Sequence, residues 1–521
     1  MKKFISLMIL AGLMSGCSIT PKPLTPEERI ELFEQAKSAT DGQEAVTAPI
    51  TMHHAMARAL LYNFESRVKM VEEEMAHNRV GASIWKLLPQ VIVDGSVATR
   101  DNTMASVSKS LTTGEESTDY TTSNDRTQRN GDLRFTWNML DLGVSYFTAR
   151  QMADQEMIAK ERRKRILHRL MQDVRDAYWR AVSAQRLLSR VEEIMTRVHK
   201  TMATADLIES ARLDVPKKIL TYKRDLYNKL LQLQDIRHNL LGAKLELAKL
   251  MNLPLGLNYQ VAIPDKPMDI PPELVIAREQ LEDRALQKRP ELMEEAYNQR
   301  ISADEIRKAQ ARMLPGLELN MSGNVTSNHF LMHNYWNSAG VKLSWNLLNF
   351  IGGWDDLELA EMKAELGALR YQTLAMAILA QVNVAYLDYE EARKRFTTVS
   401  QLSAVNNKIL NHQQARAESE NFGDMESLQL EMNAILSHLK MDDQYGQVQN
   451  ALGRLIFSSG ESMLDELPEP ATVENMVRLL NWNNHQLMNK SGLFEAKRKS
   501  NTQGVRPVSS NVFLRAFKYW M

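Results

Sequence analysis

His329 and His333 stand four residues apart, a spacing at which two imidazoles on one helix face can share a metal ion. They fall in a polar loop between two alternating stretches, so the spacing carries no ligand geometry, and neither a metal nor another cofactor is assigned. His53 and His54 read as exposed residues near a helix start, and the 29 methionines are scattered as adaptable packing groups. There is no phosphate-binding glycine loop, no HExxH pair, no calcium loop and no nucleophile elbow, so no catalytic residue is assigned and the chain is not read as an enzyme. Sixty-four basic and sixty-four acidic residues cancel, which leaves no cationic field for nucleic acid. One cysteine, Cys17, excludes an intrachain disulfide and a thiolate cluster; what it retains is the capacity to accept a covalent group. Lys2 and Lys3, an apolar run over 4–14 and then Ser15-Gly16 precede it, the layout of a secretory signal and too short to span a bilayer as a mature helix.

The remaining polar residues with a chemical pattern alternate with apolar ones. In "GLELNMSGNV" Leu317, Leu319, Met321 and Val325 share one face, with Glu318, Asn320, Ser322 and Asn324 on the other. "QVIVDGSVAT" sets Val91, Val93 and Val97 against Asp94 and Ser96, with Ile92 out of pattern. "DLRFTWN" opposes Leu133, Phe135 and Trp137 to Asp132, Arg134, Thr136 and Asn138, and "VKLSWN" opposes Val341, Leu343 and Trp345 to Lys342, Ser344 and Asn346. A soluble half-buried sheet has the same pattern, but a secreted chain with tryptophans at strand ends fits lipid on the apolar side and water on the polar side. Four strands cannot close a barrel, and open edges in hydrocarbon leave backbone groups unpaired, so partner chains must supply the rest. Three copies would bring twelve strands, enough for a lumen.

The elements that hold these strands come twice. "ALLYNFE" (59–65) and "KLLPQV" (86–91) are matched 226 residues later by "ALQKRPE" and "RMLPGL". Trp137, Val174, Ala177 and Tyr178 are matched 208 residues later by Trp345, Val382, Ala385 and Tyr386. The change of offset places an insertion between Pro89 and Trp137, in the Ser/Thr-rich "SKSLTTGEESTDYTTSNDRTQRNG", a long solvated loop. No proline lies between Pro89 and Pro216 or between Pro315 and Pro468. Within the first span Leu167, Leu170, Val174, Ala177, Ala181, Ala184, Leu188, Val191, Met195 and Val198 follow a 3,4 seam. Ala375, Ile378, Val382, Ala385, Tyr389, Ala392, Phe396 and Val399 repeat it. A helix from about 143 to 213 would be on the order of 100 Å long. "ARLDVPKKIL" and "ENFGDMESL" break each helix before a return to about Leu250 and Phe457, giving two long helical hairpins.

The organisation read from these signals is a signal peptide over 1–16, a tether over 17–50, a first repeat over 51–252, a proline-rich connector over 253–275, a second repeat over 276–460 and a polar extension over 461–521. The fold class is mainly α with a small β part.

Ser15-Gly16-Cys17 resembles a bacterial lipobox, which implies a lipid on Cys17 and, with Ser18 next, the outer membrane. Leu88-Pro89, Leu314-Pro315, the two "WN" phrases and the tandem repeat, in this order over roughly 50–460, resemble the TolC family of outer-membrane efflux and secretion channels. The resemblance implies a homotrimer with a twelve-stranded β-barrel in the outer membrane and an α-helical barrel through the periplasm. It also implies a periplasmic adaptor and an inner-membrane transporter as partners, for efflux or type I secretion. The lumen set is then Asp94, Ser96, Arg134, Thr136, Asn138, Glu318, Asn320, Ser322, Lys342, Ser344 and Asn346. The periplasmic tips are Arg212, Asp214 and Pro216 on one hairpin and Phe422, Gly423, Asp424, Glu426 and Glu431 on the other. The family's acidic gate positions fall on Gln429 and Met432 here, a departure that leaves Glu426 and Glu431 as the nearby carboxylates. The rival reading is a periplasmic coiled-coil scaffold lipoprotein without a pore.

Overall fold

The computed structural model describes residues 22–39, 41–211, 216–254, 256–263, 273–417, 424–462, 464 and 470–490. Cys17, Arg212, Asp214, Phe422 and Gly423 lie outside the described residues, as do the side chains of Pro216, Asp424 and Glu426. Contacts divide the chain into two compact units, one drawn from Met1–Arg67 and Asp173–Ile263, the other from Val68–Gln172 and Pro264–Met521.

The second unit holds all four strands, β1 (Gln90–Thr99), β2 (Thr127–Asn138), β3 (Gly316–Thr326) and β4 (Tyr335–Ser344), paired antiparallel in chain order. β2 begins five residues earlier than the alternation indicates and β4 six residues earlier, because backbone pairing continues past the apolar residues that make alternation visible. The insertion between β1 and β2 is not structureless: Ser106 bridges Thr121 and Lys109 bridges Glu116 in a short antiparallel ribbon.

Helices continue the strands. α1 (Pro26–Ser38) and α2 (Met52–Tyr62) come first, and α3 (Phe64–Trp85) leads into β1. β2 passes without a linker into α4 (Met139–Ser210), which α5 (Pro216–Leu250) follows. α6 (Arg278–Lys288) and α7 (Pro290–Arg312) precede β3, and β4 is followed by α8 (Leu347–Ala417), α9 (Asp424–Ser458) and α10 (Val473–Lys490). In the second unit the helices keep the order of their strands. Arg163 pairs with Glu73 at 2.8 Å between α4 and α3, and Gln151 donates to the Ile301 carbonyl at 3.1 Å between α4 and α7. Gln299 donates to the Gly367 carbonyl between α7 and α8.

The anticipated seams are buried. Leu167, Leu170, Val174, Ala177, Ala181, Ala184, Val191 and Val198 are covered, with Leu188 and Met195 half-buried. On α8 the strip Ile378, Val382, Ala385, Tyr389, Ala392, Phe396 and Val399 is covered, mainly by α9, where Tyr445 meets Phe396 with ring centroids 5.4 Å apart, while Ala375 is half-buried. Alanine at seam positions lets helix axes approach.

In the first unit the connector is anchored. Ile50 bridges Val261 in parallel, Tyr178 Oη donates to the Ala262 carbonyl at 2.7 Å, and Gln185 exchanges hydrogen bonds with Val261. His53 and His54 are half-buried rather than exposed, since α2 packs its whole middle, Ala55 to Leu60, into this unit. Burial lowers both imidazole pKa values, with Arg175 adding to the effect at His53 and Arg58 at His54. Arg175 is itself pushed down to about 10 by burial. α1 has a complete Thr25–Glu28 capping box and no buried residue. α10 was not expected; Val473, Met476 and Leu480 form its covered stripe.

Candidate functional site

Strand pairing decides which predicted residues meet. Across the sheet the partners run Gln90–Thr136–Asn320–Gly340, then Ile92–Arg134–Ser322–Ser338, then Asp94–Asp132–Asn324–Trp336. Gly316 and Ser344 pair nearest the helices, Asn138, Glu318 and Lys342 form the next row, and Ser96 pairs with Asn130 towards the far end. Side chains alternate along each strand, so these rows share one face. Every predicted lumen residue inside a strand therefore lies on a single polar face: Asp94, Ser96, Arg134, Thr136, Asn138, Glu318, Asn320, Ser322, Lys342 and Ser344.

The polar face is partly self-satisfied. Arg134 lies 3.0 Å from Asp132 and 3.5 Å from Asp94, which offsets the repulsion of two carboxylates placed directly opposite each other on β1 and β2. Ser322 Oγ and Ser338 Oγ are 2.8 Å apart. The Asn320 carboxamide lies over Gly340, where a Cβ would come within 2.7 Å of its oxygen, so a side chain there would displace it.

The opposite face carries Val91, Val93, Val97, Leu133, Phe135, Trp137, Leu317, Leu319, Met321, Val325, Val341 and Leu343, and much of it is bare. Val93 is 79% exposed, Val341 68% and Leu343 70%. Tyr335 marks one end of this face, and Trp137 with Trp345 mark the other. The ten residue steps from Tyr335 to Trp345, at about 3.3 Å each and tilted by about 40°, span roughly 25 Å, the height of a lipid-facing barrel band.

Both edges of the unit are unfinished. β1 and β4 are exposed along their full lengths. The helices continuing them carry uncovered apolar seams: Val68, Val71, Met75 and Trp85 on α3, and Leu359, Met362, Leu366, Leu369 and Met376 on α8. The α8 seam over 359–376 precedes the strip over 378–399 that α9 covers, and its heptad spacing sets it on the other side of the helix.

Asn138 and Asn346 have a further role that alternation concealed. Asn138 Oδ1 accepts from the Leu140 and Asp141 amides at 3.0 and 3.4 Å, and Asn346 Oδ1 from the Leu348 and Asn349 amides at 3.1 and 3.2 Å. Each caps one long helix. Asn346 lies beyond β4 and joins no strand row; Trp345 beside it donates its Nε1 hydrogen to the Met313 carbonyl at 3.1 Å. The signal was available, since asparagine before a helix start is a cap residue. Asp132 and Asn324, which alternation already places on this face, and Ser338 and Trp336, which it does not, complete the face beyond the residues assigned to the lumen. Trp336 was missed because "YWNSAG" does not alternate.

Of the tip residues, Glu431 is half-buried on α9. Towards the first tip Lys223 holds both Asp206 and Glu209 at 2.6 Å, tying α5 to α4. His329 lies 2.5 Å from Asp125 in the loops beyond the strands, and among the described residues no group of three or more His, Cys, Asp or Glu is placed to hold a metal ion. No helix among the described residues is long and apolar enough to cross a membrane.

Residues 281–460 match the family model for "Outer membrane efflux protein". The Campylobacter jejuni CmeC outer membrane channel shares the fold at a TM-score of 0.62 and 13% identity, over 89% of this chain and 99% of that one. The outer-membrane channel OprN does so at 0.61 and 15%, over 86% and 99%. The open state of the Neisseria gonorrhoeae MtrE outer membrane channel does so at 0.59 and 14%, over 81% and 94%. No curated protein matches the sequence. The resemblance to TolC-like outer-membrane channels is thus shown by the family model over 281–460, and the neighbours share the fold over most of the chain.

Proposed function

We propose that this chain, with an outer membrane efflux protein domain over 281–460 and the fold of outer-membrane channels, is one third of a trimeric exit duct. The observation that carries this reading is the pair of unfinished edges. Sheet and helices stop at matching sides, β1 with α3 and β4 with α8, and each side presents unpaired backbone above an apolar seam. Two different edges make a head-to-tail contact, which closes when rotation brings the last copy back to the first. Three copies give twelve antiparallel strands, with the apolar face in lipid and the Asp94, Arg134 and Glu318 face in water.

The duct conducts passively. A periplasmic adaptor and an inner-membrane transporter engage the hairpin tips around Arg212, Asp214 and Pro216 and around Phe422, Gly423, Asp424, Glu426 and Glu431. Energy comes from the transporter, in an efflux pump or in type I secretion, and this chain has no catalytic role. A lipid on Cys17, after removal of 1–16, anchors the chain to the outer membrane, with 17–50 as tether. The repeats over 51–252 and 276–460 each deliver a strand pair and a hairpin, joined by 253–275, and 461–521 extends beyond them.

Against the pore-free scaffold stands the bare apolar sheet face, which would meet water in a soluble protein. Mass measurement in detergent and single-channel recording in planar bilayers test the proposal. A trimer with steady ohmic current is expected. A monomer, or a trimer that passes no current, would overturn it.

A further inference from the structure

We propose that the strand row Asp94–Asp132–Asn324–Trp336 forms, in the closed barrel, a filter that favours organic cations with an aromatic or apolar body. The inference rests on the channel reading above and names the class of solute that its lumen favours.

Trp336 is the one aromatic residue on the polar face of the four strands, and it is 45% exposed. Its row is the one that also carries Asp94 and Asp132. It lies away from the helix junction, at the end of the strands towards the connecting loops. Closure of the ring places β4 of one copy beside β1 of the next, so Trp336 stands at the seam between copies with Asn324 as its strand partner. An indole face attracts a cation through its quadrupole, and a carboxylate beside it adds net charge.

The charges facing the lumen set the sign. Arg134 reaches both Asp94 and Asp132 but carries one positive charge against their two. Glu318 and Lys342 stand opposite each other and balance. One negative charge per copy, three in the ring, is therefore unmatched, and it lies in the row with the indole. Ile92, the one aliphatic residue on this face with a branched side chain, stands in the adjoining row and extends the apolar surface beneath a bound solute. A small inorganic ion would feel only the charge; a cation with an aromatic body would feel both.

The test uses the purified full-length trimer in planar bilayers, with benzyltrimethylammonium and benzenesulfonate as probes of similar size and opposite charge. The expected result is block by the cation at a concentration about three- to tenfold lower than by the anion. Trp336→Ala and Asp94→Asn should each reduce that ratio towards one, Trp336→Phe should retain most of it, and Arg134→Gln should increase it. Conductance itself reports that each variant has assembled. A channel that conducts but is blocked equally by both probes overturns the filter alone, as does a ratio untouched by Trp336→Ala and Asp94→Asn. A folded trimer without current overturns the channel reading and the filter together.

Discussion

Asn138 and Asn346, 208 residues apart, make the same contact: each carboxamide oxygen accepts from the backbone amides two and three residues ahead, at the first turn of a long helix. The repeated "WN" phrase is thus a junction device. An indole stands at the end of each strand region, and the asparagine after it caps the helix.

Removing a cap exposes the orphan amides it served. Asn346→Ala should lower stability by about 1 kcal/mol, as should Asn138→Ala, whereas Asn346→Ser should retain most of it. Chemical denaturation of the detergent-solubilised protein, followed by circular dichroism, measures this. Equal stability for the Ala and Ser variants would contradict the capping role.

The uncovered α8 seam gives a sharper test of assembly. Leu366→Glu places a charge where a neighbouring copy should pack, while the strip facing α9 is untouched. The variant should remain helical yet lose the trimer in analytical ultracentrifugation. Glu365→Gln, one residue away and outside the seam, should assemble normally.

His53 gives a pH dependence. Its pKa is lowered in the folded chain, chiefly by burial, so below about pH 6.5 the unfolded chain binds the extra proton more readily. Stability contributed by the neutral imidazole is present above that pH and is lost as pH falls towards the folded value; His54 acts in the same direction. Thermal melting should shift downwards between pH 7 and pH 5, and His53→Gln should flatten that shift. A melting temperature that rises on acidification would contradict the sign.

Cys17→Ala should abolish incorporation of radiolabelled palmitate and release much of the tether from the membrane while leaving trimer formation intact. Label retained in the variant would remove the lipid from the proposal.

Much of the fold was legible because it follows from periodicity. Val174 and Ala177, or Val382 and Ala385, are buried at the seam spacing the sequence displays, and β1 has the bounds its alternation gives. The polar face was legible residue by residue, but its completion was not. Asp132 acquires meaning from Asp94 opposite it, and Trp336 from Asn324, relations set by strand pairing between distant segments. The half-burial of His53 and His54 was hidden for a similar reason. It depends on what α2 packs against, and no local pattern encodes that.

In the proposed trimer, the two stripes of α8 would limit how the wall can move. A rod gripped on opposite flanks cannot spin about its own axis without shearing both grips at once, so axial rotation is the costly motion. Bending or sliding in the plane of the wall keeps both flanks engaged. Were that proposed duct to widen, its slats would lean rather than spin, with displacement growing with distance from the sheet.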